Sequence, residues 1–225
     1  MVPDFPALIG AVACPYTLEA LPTLNAEVSA CDLLEYRLDG LPTATLSRQP
    51  LPTLMTARDP EEGGQNALSL SQRHKLYKKH LPSASILDIE IRNLDLLADV
   101  RDEAQANARL VLGSFHDFDS TPSEQALEDT IKRGIDAGAD AIKLAVTTNT
   151  PHHIRILLRL LERYQMNIPM AVMGMGTLGK SSRVLFAQCG SILNYAYLKK
   201  ANAPGQWSAI MMRNLFDEIG INRPA

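Results

Sequence analysis

The sequence predicts an α/β protein built as a single (β/α)8 (TIM) barrel over residues 1–225. Short apolar runs and amphipathic runs alternate from end to end, the pattern of strands joined by crossover helices. Eight such units occur with no break in composition, whereas a doubly wound open sheet, the main competitor, normally has fewer strands. The length, 225 residues, suits one barrel domain.

The strand candidates are Leu8–Cys14, Asp32–Arg37, Thr53–Arg58, Ile86–Ile91, Leu110–Phe115, Ala141–Val146, Met170–Met173 and Ser191–Tyr197. Each is rich in aliphatic residues and bounded by turn formers or polar residues. Helical spacing of apolar residues is visible over Leu68–His80, Leu94–Ala106, Ser123–Ala137, Pro151–Gln165, Ser181–Gln188 and Gln206–Ile219. Thr121-Pro-Ser and Thr150-Pro are helix starts, because proline is tolerated in a first turn. Gly134 and Gly138 fall where the third of these helices should stop. The unit after Arg37 is weak: Pro42, Pro50 and Pro52 leave room for only a short helix. With the first strand so close to residue 1, no hairpin closing the barrel bottom is expected.

Composition narrows the function. Hydrophobic residues make up 46% and charged residues 21%, as in ordinary globular domains. A net charge of −3 gives no footprint for nucleic acid or an anionic membrane. No apolar run reaches the length of a membrane span, and no basic-then-apolar leader opens the chain. Cys14, Cys31 and Cys189 are odd in number and widely spaced. They read as reduced core thiols of a cytoplasmic protein, not as a disulfide frame or metal site.

In a barrel of this type chemistry belongs at the carboxyl ends of the strands, and residues two apart share a face. The inward sets are then Leu33, Glu35 and Arg37; Leu54, Thr56 and Arg58; Asp88 and Glu90; Leu112, Ser114 and His116; Ala141, Lys143 and Ala145; and Ala171, Met173 and Met175. Lys143 stands out, since a lysine among alanines and aliphatics is buried only when paired or used. Burial favours the neutral amine, a nucleophile toward carbonyls; snorkelling to the strand edge is the alternative. His116 is the proton carrier that carbonyl–amine chemistry needs, or else a structural histidine. His74, His80, His152 and His153 fall in helical segments expected to be exposed. Glu35, Arg37 and Arg58 suit the hydroxyl groups of a polar ligand, or a structural ion-pair ring. Glu62 suits orientation of His116, and Asp88 with Glu90 suits a polar layer beneath the site. The run Gly174-Met-Gly-Thr-Leu-Gly-Lys-Ser-Ser-Arg183 has the look of a phosphate cradle, without the Walker or dinucleotide spacing. Arg183 adds a bidentate donor for an anion. Ala203-Pro-Gly-Gln206 reads as a lid loop, and Trp207, Met211 and Met212 as helix packing.

Taken together these pieces resemble the type I 3-dehydroquinate dehydratases. The matching stretches are Glu35-Tyr-Arg37-Leu-Asp39, Thr56-Ala-Arg58 with Glu62-Gly-Gly64, Asp88-Ile-Glu90, Ser114-Phe-His116-Asp117, Asp140-Ala-Ile-Lys143, Met173-Gly-Met175-Gly through Ser182-Arg183, and Ala203-Pro-Gly-Gln206. The resemblance implies a shikimate-pathway lyase that converts 3-dehydroquinate to 3-dehydroshikimate by syn elimination through a lysine Schiff base. It implies Lys143 as the imine former, His116 as base and then acid, and Glu62 as the residue that holds His116. Glu35, Arg37 and Arg58 would take ring hydroxyls and Arg183 the carboxylate. Asn202 and Gln206 would close over the ligand, while Met173 and Met175 would line the pocket. No metal or organic cofactor is implied, and a homodimer is. The chain departs from the resemblance at Asn202, where a serine is usual, at Phe115 before the histidine, and at Asn194, where a threonine is usual. Two other classes fit less well: a Schiff-base aldolase acting on a phosphorylated substrate, and a ligand-binding relative without turnover.

Overall fold

A computed structural model describes residues 7–12, 15–44, 46, 50–201 and 205–221. Its elements run β1 (Ala7–Val12), α1 (Pro15–Ala20), α2 (Asn25–Ser29), β2 (Leu33–Arg37), β3 (Thr53–Thr56), α3 (Leu70–His80), β4 (Ile86–Glu90) and α4 (Ala98–Ala106). They continue with β5 (Leu110–Asp117), α5 (Glu124–Asp136), β6 (Ala141–Thr147), α6 (Pro151–Tyr164), β7 (Met170–Met175), α7 (Gly179–Gln188), β8 (Leu193–Tyr197) and α8 (Ala209–Glu218). The strands form one all-parallel sheet in the order β7-β6-β5-β4-β3-β2-β1-β8, a nearly closed (β/α)8 barrel as expected.

Local chemistry starts the helices where the sequence marks them. Ser69 and Gln72 form a reciprocal capping box on α3, Ser123 caps α5, Ser208 caps α8, and Pro151 opens α6; each device satisfies or dispenses with a free first-turn amide. Three differences from the sequence expectation have physical causes. Among the described residues no α-helix joins β2 to β3, in the stretch that carries the three prolines. β5 and β7 run two residues further than composition suggested, because the ladder continues through His116↔Ala145, Asp117↔Val146 and Thr147↔Met175. His116 and Met175 are therefore strand residues, as the inward sets required. Two short helices, α1 and α2, precede β2 where none was expected.

Strand alternation divides the core in two. Outward residues such as Leu34, Leu87, Val111, Ile142 and Val172 pack beneath the helices. Ile9, Leu33, Leu54, Ile86 and Leu112 fill the barrel's amino-terminal end. Above that apolar plug the inward positions turn polar yet stay buried: Glu35, Thr56, Asp88, Ser114 and Lys143. An apolar floor under a polar, water-poor layer makes every charge pair above it strong.

At the floor, a side chain just before every even-numbered strand caps an amide of the strand preceding it. Asp32 accepts from Leu8 N, Ser85 from Thr53 N, Asp140 from Val111 N and Ser191 from Val172 N. The last of these lies at the β7–β8 seam, where the sheet order has no continuous ladder. Ser191 Oγ also donates to Val172 O, and Ile192 N to Met170 O. Among the cysteines, Cys31 is buried but Cys189 is exposed, so the core-thiol expectation fails for Cys189; Cys14 lies outside the described residues. His80 is buried, against the expectation that it is exposed.

Candidate active site

A cavity of about 870 Å³, counted with its open mouth, lies at the carboxyl ends of the strands. It is lined by Lys143, His116, Glu62, Glu35, Arg37, Arg58, Arg183, Met173, Met175 and Gln206, joined by Gly63, Gln65, Phe118, Ala145 and Tyr195. Ten of the residues singled out in the sequence are thus brought together. Asn202 lies outside the described residues, as do Ala203 and Pro204 of the lid stretch.

Lys143 does not snorkel. It is 4% exposed, its Nζ donates to Asp88 Oδ2 at 2.7 Å, and Nζ stands 4.4 Å from the Tyr195 ring centroid. Burial, aided by Arg58, holds the amine below its ordinary proton affinity against the pull of Asp88 and Glu35. Asp88 is therefore a direct partner of the lysine, not a layer beneath the site. Burial pushes the Asp88 carboxyl up, but Arg58 and Lys143 outweigh it and keep the group ionised. Ala145, the inward residue above Lys143, leaves the amine open to the cavity.

His116 is set by a turn whose backbone only glycine serves. Asp59 caps the 3-10 turn Pro60–Glu62, which ends on Gly63 at φ 85°, a conformation costly for other residues. A side chain on Gly64 would meet Arg58 O at 2.2 Å. The turn folds Glu62 back over the barrel mouth, where Oε2 accepts from His116 N and faces His116 Nδ1, both at 2.9 Å. When Glu62 is ionised it only accepts, so in that state Nδ1 carries the proton and Nε2 keeps a free lone pair. Burial, with Arg58, Lys143 and Arg37 nearby, holds the imidazole well below its usual value and so neutral. Burial pushes the Glu62 carboxyl up to about 7, with Arg58 opposing. Phe118 stacks on the imidazole at 6.4 Å.

Arg58 is clamped. It donates to Glu90 at 2.7 Å, Ser114 at 2.6 Å and Asp88 at 2.8 Å. Glu35 accepts from Thr56 at 2.8 Å. Arg37 forks onto Asp39 at 3.0 and 2.9 Å and reaches Gly63 O. Asp39 also accepts from the amides of Arg58 and Gln65, which ties the glycine turn to β2. Arg183, on α7, is 2% exposed and donates to Tyr195 O at 3.3 Å and Met173 Sδ at 3.7 Å. Its Nε is unpaired, and no carboxylate pairs with it among the described residues. Burial lowers its pKa to about 10, which leaves it a cation near neutral pH.

Sequence reasoning gave no role to Tyr195, Asp39 or Asp59, nor to Arg73, which donates to Asp59 at 2.7 Å and Glu90 at 2.9 Å from α3. A signal existed for Arg73: it shares the buried helical stripe of Leu76, Tyr77 and His80. The phosphate-cradle run is only partly open to a ligand. Thr177, Leu178 and Gly179 amides are already donated to Asn149, Thr148 and Gly176, and the glycines serve close packing, Gly174 against Thr148 and Ser182, Gly179 against Gly205. Trp207 is pinned by its Nε1 to Lys180 O; Met212 is buried, whereas Met211 is exposed. Among the described residues no cluster is able to hold a metal ion and no helix is long and apolar enough to cross a membrane.

Comparison with known proteins gives consistent results. The family model for type I 3-dehydroquinase matches residues 11–223. A 3-dehydroquinate dehydratase of Thermodesulfovibrio yellowstonii is 33% identical over 204 residues, 87% of this chain and 88% of that protein. A catabolic 3-dehydroquinate dehydratase of Acinetobacter baylyi is 32% identical over 212 residues, 86% of this chain and 78% of that protein. The crystal structure of a 3-dehydroquinate dehydratase from Geobacillus kaustophilus superposes with a TM-score of 0.85 at 27% identity, covering 96% of this chain and 91% of that one.

Proposed function

Because the chain belongs to the type I 3-dehydroquinase family, we propose that it dehydrates 3-dehydroquinate to 3-dehydroshikimate, a shikimate-pathway step, through an imine on Lys143. The observation that carries this reading is the pairing of a desolvated amine with a carboxylate-held neutral imidazole in one cavity. Ser114 is the register partner of Lys143, and His116 stands two residues beyond it. The imidazole therefore lies about 6–7 Å further along the strand direction. A ketone carbon at Nζ then leaves the adjacent carbon within reach of Nε2.

The steps follow from that spacing. Neutral Lys143 adds to the ketone, and loss of water from the carbinolamine gives the iminium. His116 Nε2 removes a proton from the adjacent carbon, and the electron pair is held as the enamine. The imidazolium, steadied by Glu62, returns that proton to the hydroxyl on the next carbon as its C–O bond breaks, on the same face and so syn. Hydrolysis of the imine frees the enone and regenerates the amine. Arg183 is a buried cation without a carboxylate partner among the described residues, which suits the substrate carboxylate. Glu35, Arg37 and Arg58 suit ring hydroxyls, while Gln206, Met173 and Met175 line the cavity around the ligand. A phosphorylated substrate is disfavoured because three of the amides leading into α7, those of Thr177, Leu178 and Gly179, are already engaged within the protein. The single catalytic domain expected from the length, the cytoplasmic setting expected from the cysteines and the homodimer implied by the resemblance belong to the same proposal.

Incubation with 3-dehydroquinate and borohydride, read by peptide mass while enone absorbance is followed, tests it. The expected result is a reduced adduct on Lys143 and growing absorbance. Absorbance growth with no adduct would overturn the imine, and an adduct with no turnover would indicate the silent binding relative.

A further inference from the structure

Five buried side chains form a line of alternating charge from outside the barrel to its axis. Arg73 on α3 donates to Glu90 at 2.9 Å; Glu90 accepts from Arg58 at 2.7 Å; Arg58 donates to Asp88 at 2.8 Å; Asp88 accepts from Lys143 at 2.7 Å. All five are at most 4% exposed. Helix α3 is locked to this line a second time. Tyr77, one turn after Arg73, accepts from Ala57 N and donates to Asp88 O, bridging β3 and β4 where their pairing ends at Thr56 and Asp88.

We propose that Arg73 is a positioning residue for the chemistry at Lys143: by neutralising Glu90 it keeps Arg58 shared between Glu90 and Asp88, and so limits the share of Asp88 left to the lysine. The inference rests on the imine reading of Lys143. Glu90 Oε2 takes Arg73 and Asn93, and Oε1 takes Arg58 and the Asp59 amide. Without Arg73, the unbalanced Glu90 draws Arg58 toward itself and Asp88 turns to Lys143. The cluster also loses one positive charge. Both changes strengthen the hold of Lys143 on its proton and reduce the neutral amine at a given pH. The groups facing Lys143 are Asp88 on β4, Arg58 just after β3, Glu35 on β2, His116 on β5 and Tyr195 on β8; its β7 neighbour is the uncharged Ala171. Of these, Asp88 and Arg58 belong to the line that Arg73 ends.

The test is the pH dependence of borohydride trapping at Lys143, which reads imine formation separately from elimination. Arg73→Gln should move the half-maximal pH up by about one unit, a trapping rate about tenfold lower below it. Arg73→Lys, which keeps the charge, should restore at least half of that shift. Loss of stability alone would lower the folded fraction without moving the midpoint. An unshifted profile in folded Arg73→Gln, or an equal shift in both variants, overturns the inference. Should Arg73→Gln fail to fold, Asp59→Asn removes an anion from the same cluster and should move the midpoint down; an upward or absent shift overturns it. Failure of the unaltered protein to trap at Lys143 would instead overturn the imine reading beneath it.

Discussion

Glu62→Gln separates charge from geometry at the imidazole. Both bonds to His116 end on one oxygen, Oε2, at 2.9 Å each, and the amide oxygen of glutamine can accept both, so the ring stays in place. Only the charge is lost. When the imidazolium forms during elimination, its partner is then a neutral amide oxygen instead of a carboxylate, a difference of about 1–1.5 kcal/mol. That corresponds to a kcat about 5- to 15-fold lower, with imine trapping at Lys143 unchanged. Stability moves the other way. Burial raises the Glu62 carboxyl from 4.5 to about 7, so the folded state holds its proton more tightly than the unfolded chain. A raised carboxyl gives stability that is whole below about 4.5 and is lost as pH climbs through about 7, up to roughly 3 kcal/mol. Glutamine does not titrate, so this fall should vanish. Urea midpoints at the two ends of that window, with initial rates from enone absorbance, measure both effects. A variant with unaltered kcat, or with the parent's pH dependence of stability, refutes the reasoning.

Two further substitutions probe the same cavity. His116→Ala should still give the reduced adduct on Lys143 while elimination falls about 10²–10⁴-fold; undiminished turnover would remove His116 from the reaction. Arg183→Met should raise KM about 10- to 100-fold, the loss of one charged pairing of about 1.5–3 kcal/mol. Its thermal midpoint should hold or rise, since a buried cation without a carboxylate partner among the described residues is removed; an unchanged KM would mean the substrate carboxylate binds elsewhere.

How much of this was legible before folding depended on the range of the interaction. Alternation by two placed Glu35, Asp88, Ser114, His116 and Lys143 on the inner face, because strand geometry is local. Strand ends were less legible: β5 and β7 lengthen only because β6 lies between them. The contact of Asp88 with Lys143 joins residues on β4 and β6, which needs the barrel closed before it exists. The burial of His80 and the exposure of Cys189 depend on which helix face meets the sheet, and composition does not encode that. Arg73 was legible in principle, as a charge within an apolar helical stripe, but its meaning lies in Glu90 and Asp59 on other elements.

The seam beside Ser191 gives the barrel one stave held by a peg rather than by a glued joint. With a side-chain hydroxyl doing much of the joining between β7 and β8, strand separation should begin there, and the amides of β7 should exchange earlier than those of β5 and β6. The proposed ligand would lie across that joint, tied to Lys143 on β6 at one end and to Arg183, which holds Tyr195 of β8, at the other. Substrate would then act as a hoop. Slower amide exchange over Met170–Met175 on ligand binding, with little change in β4, is the expected mark of such clasping, and uniform protection of all eight strands would count against it.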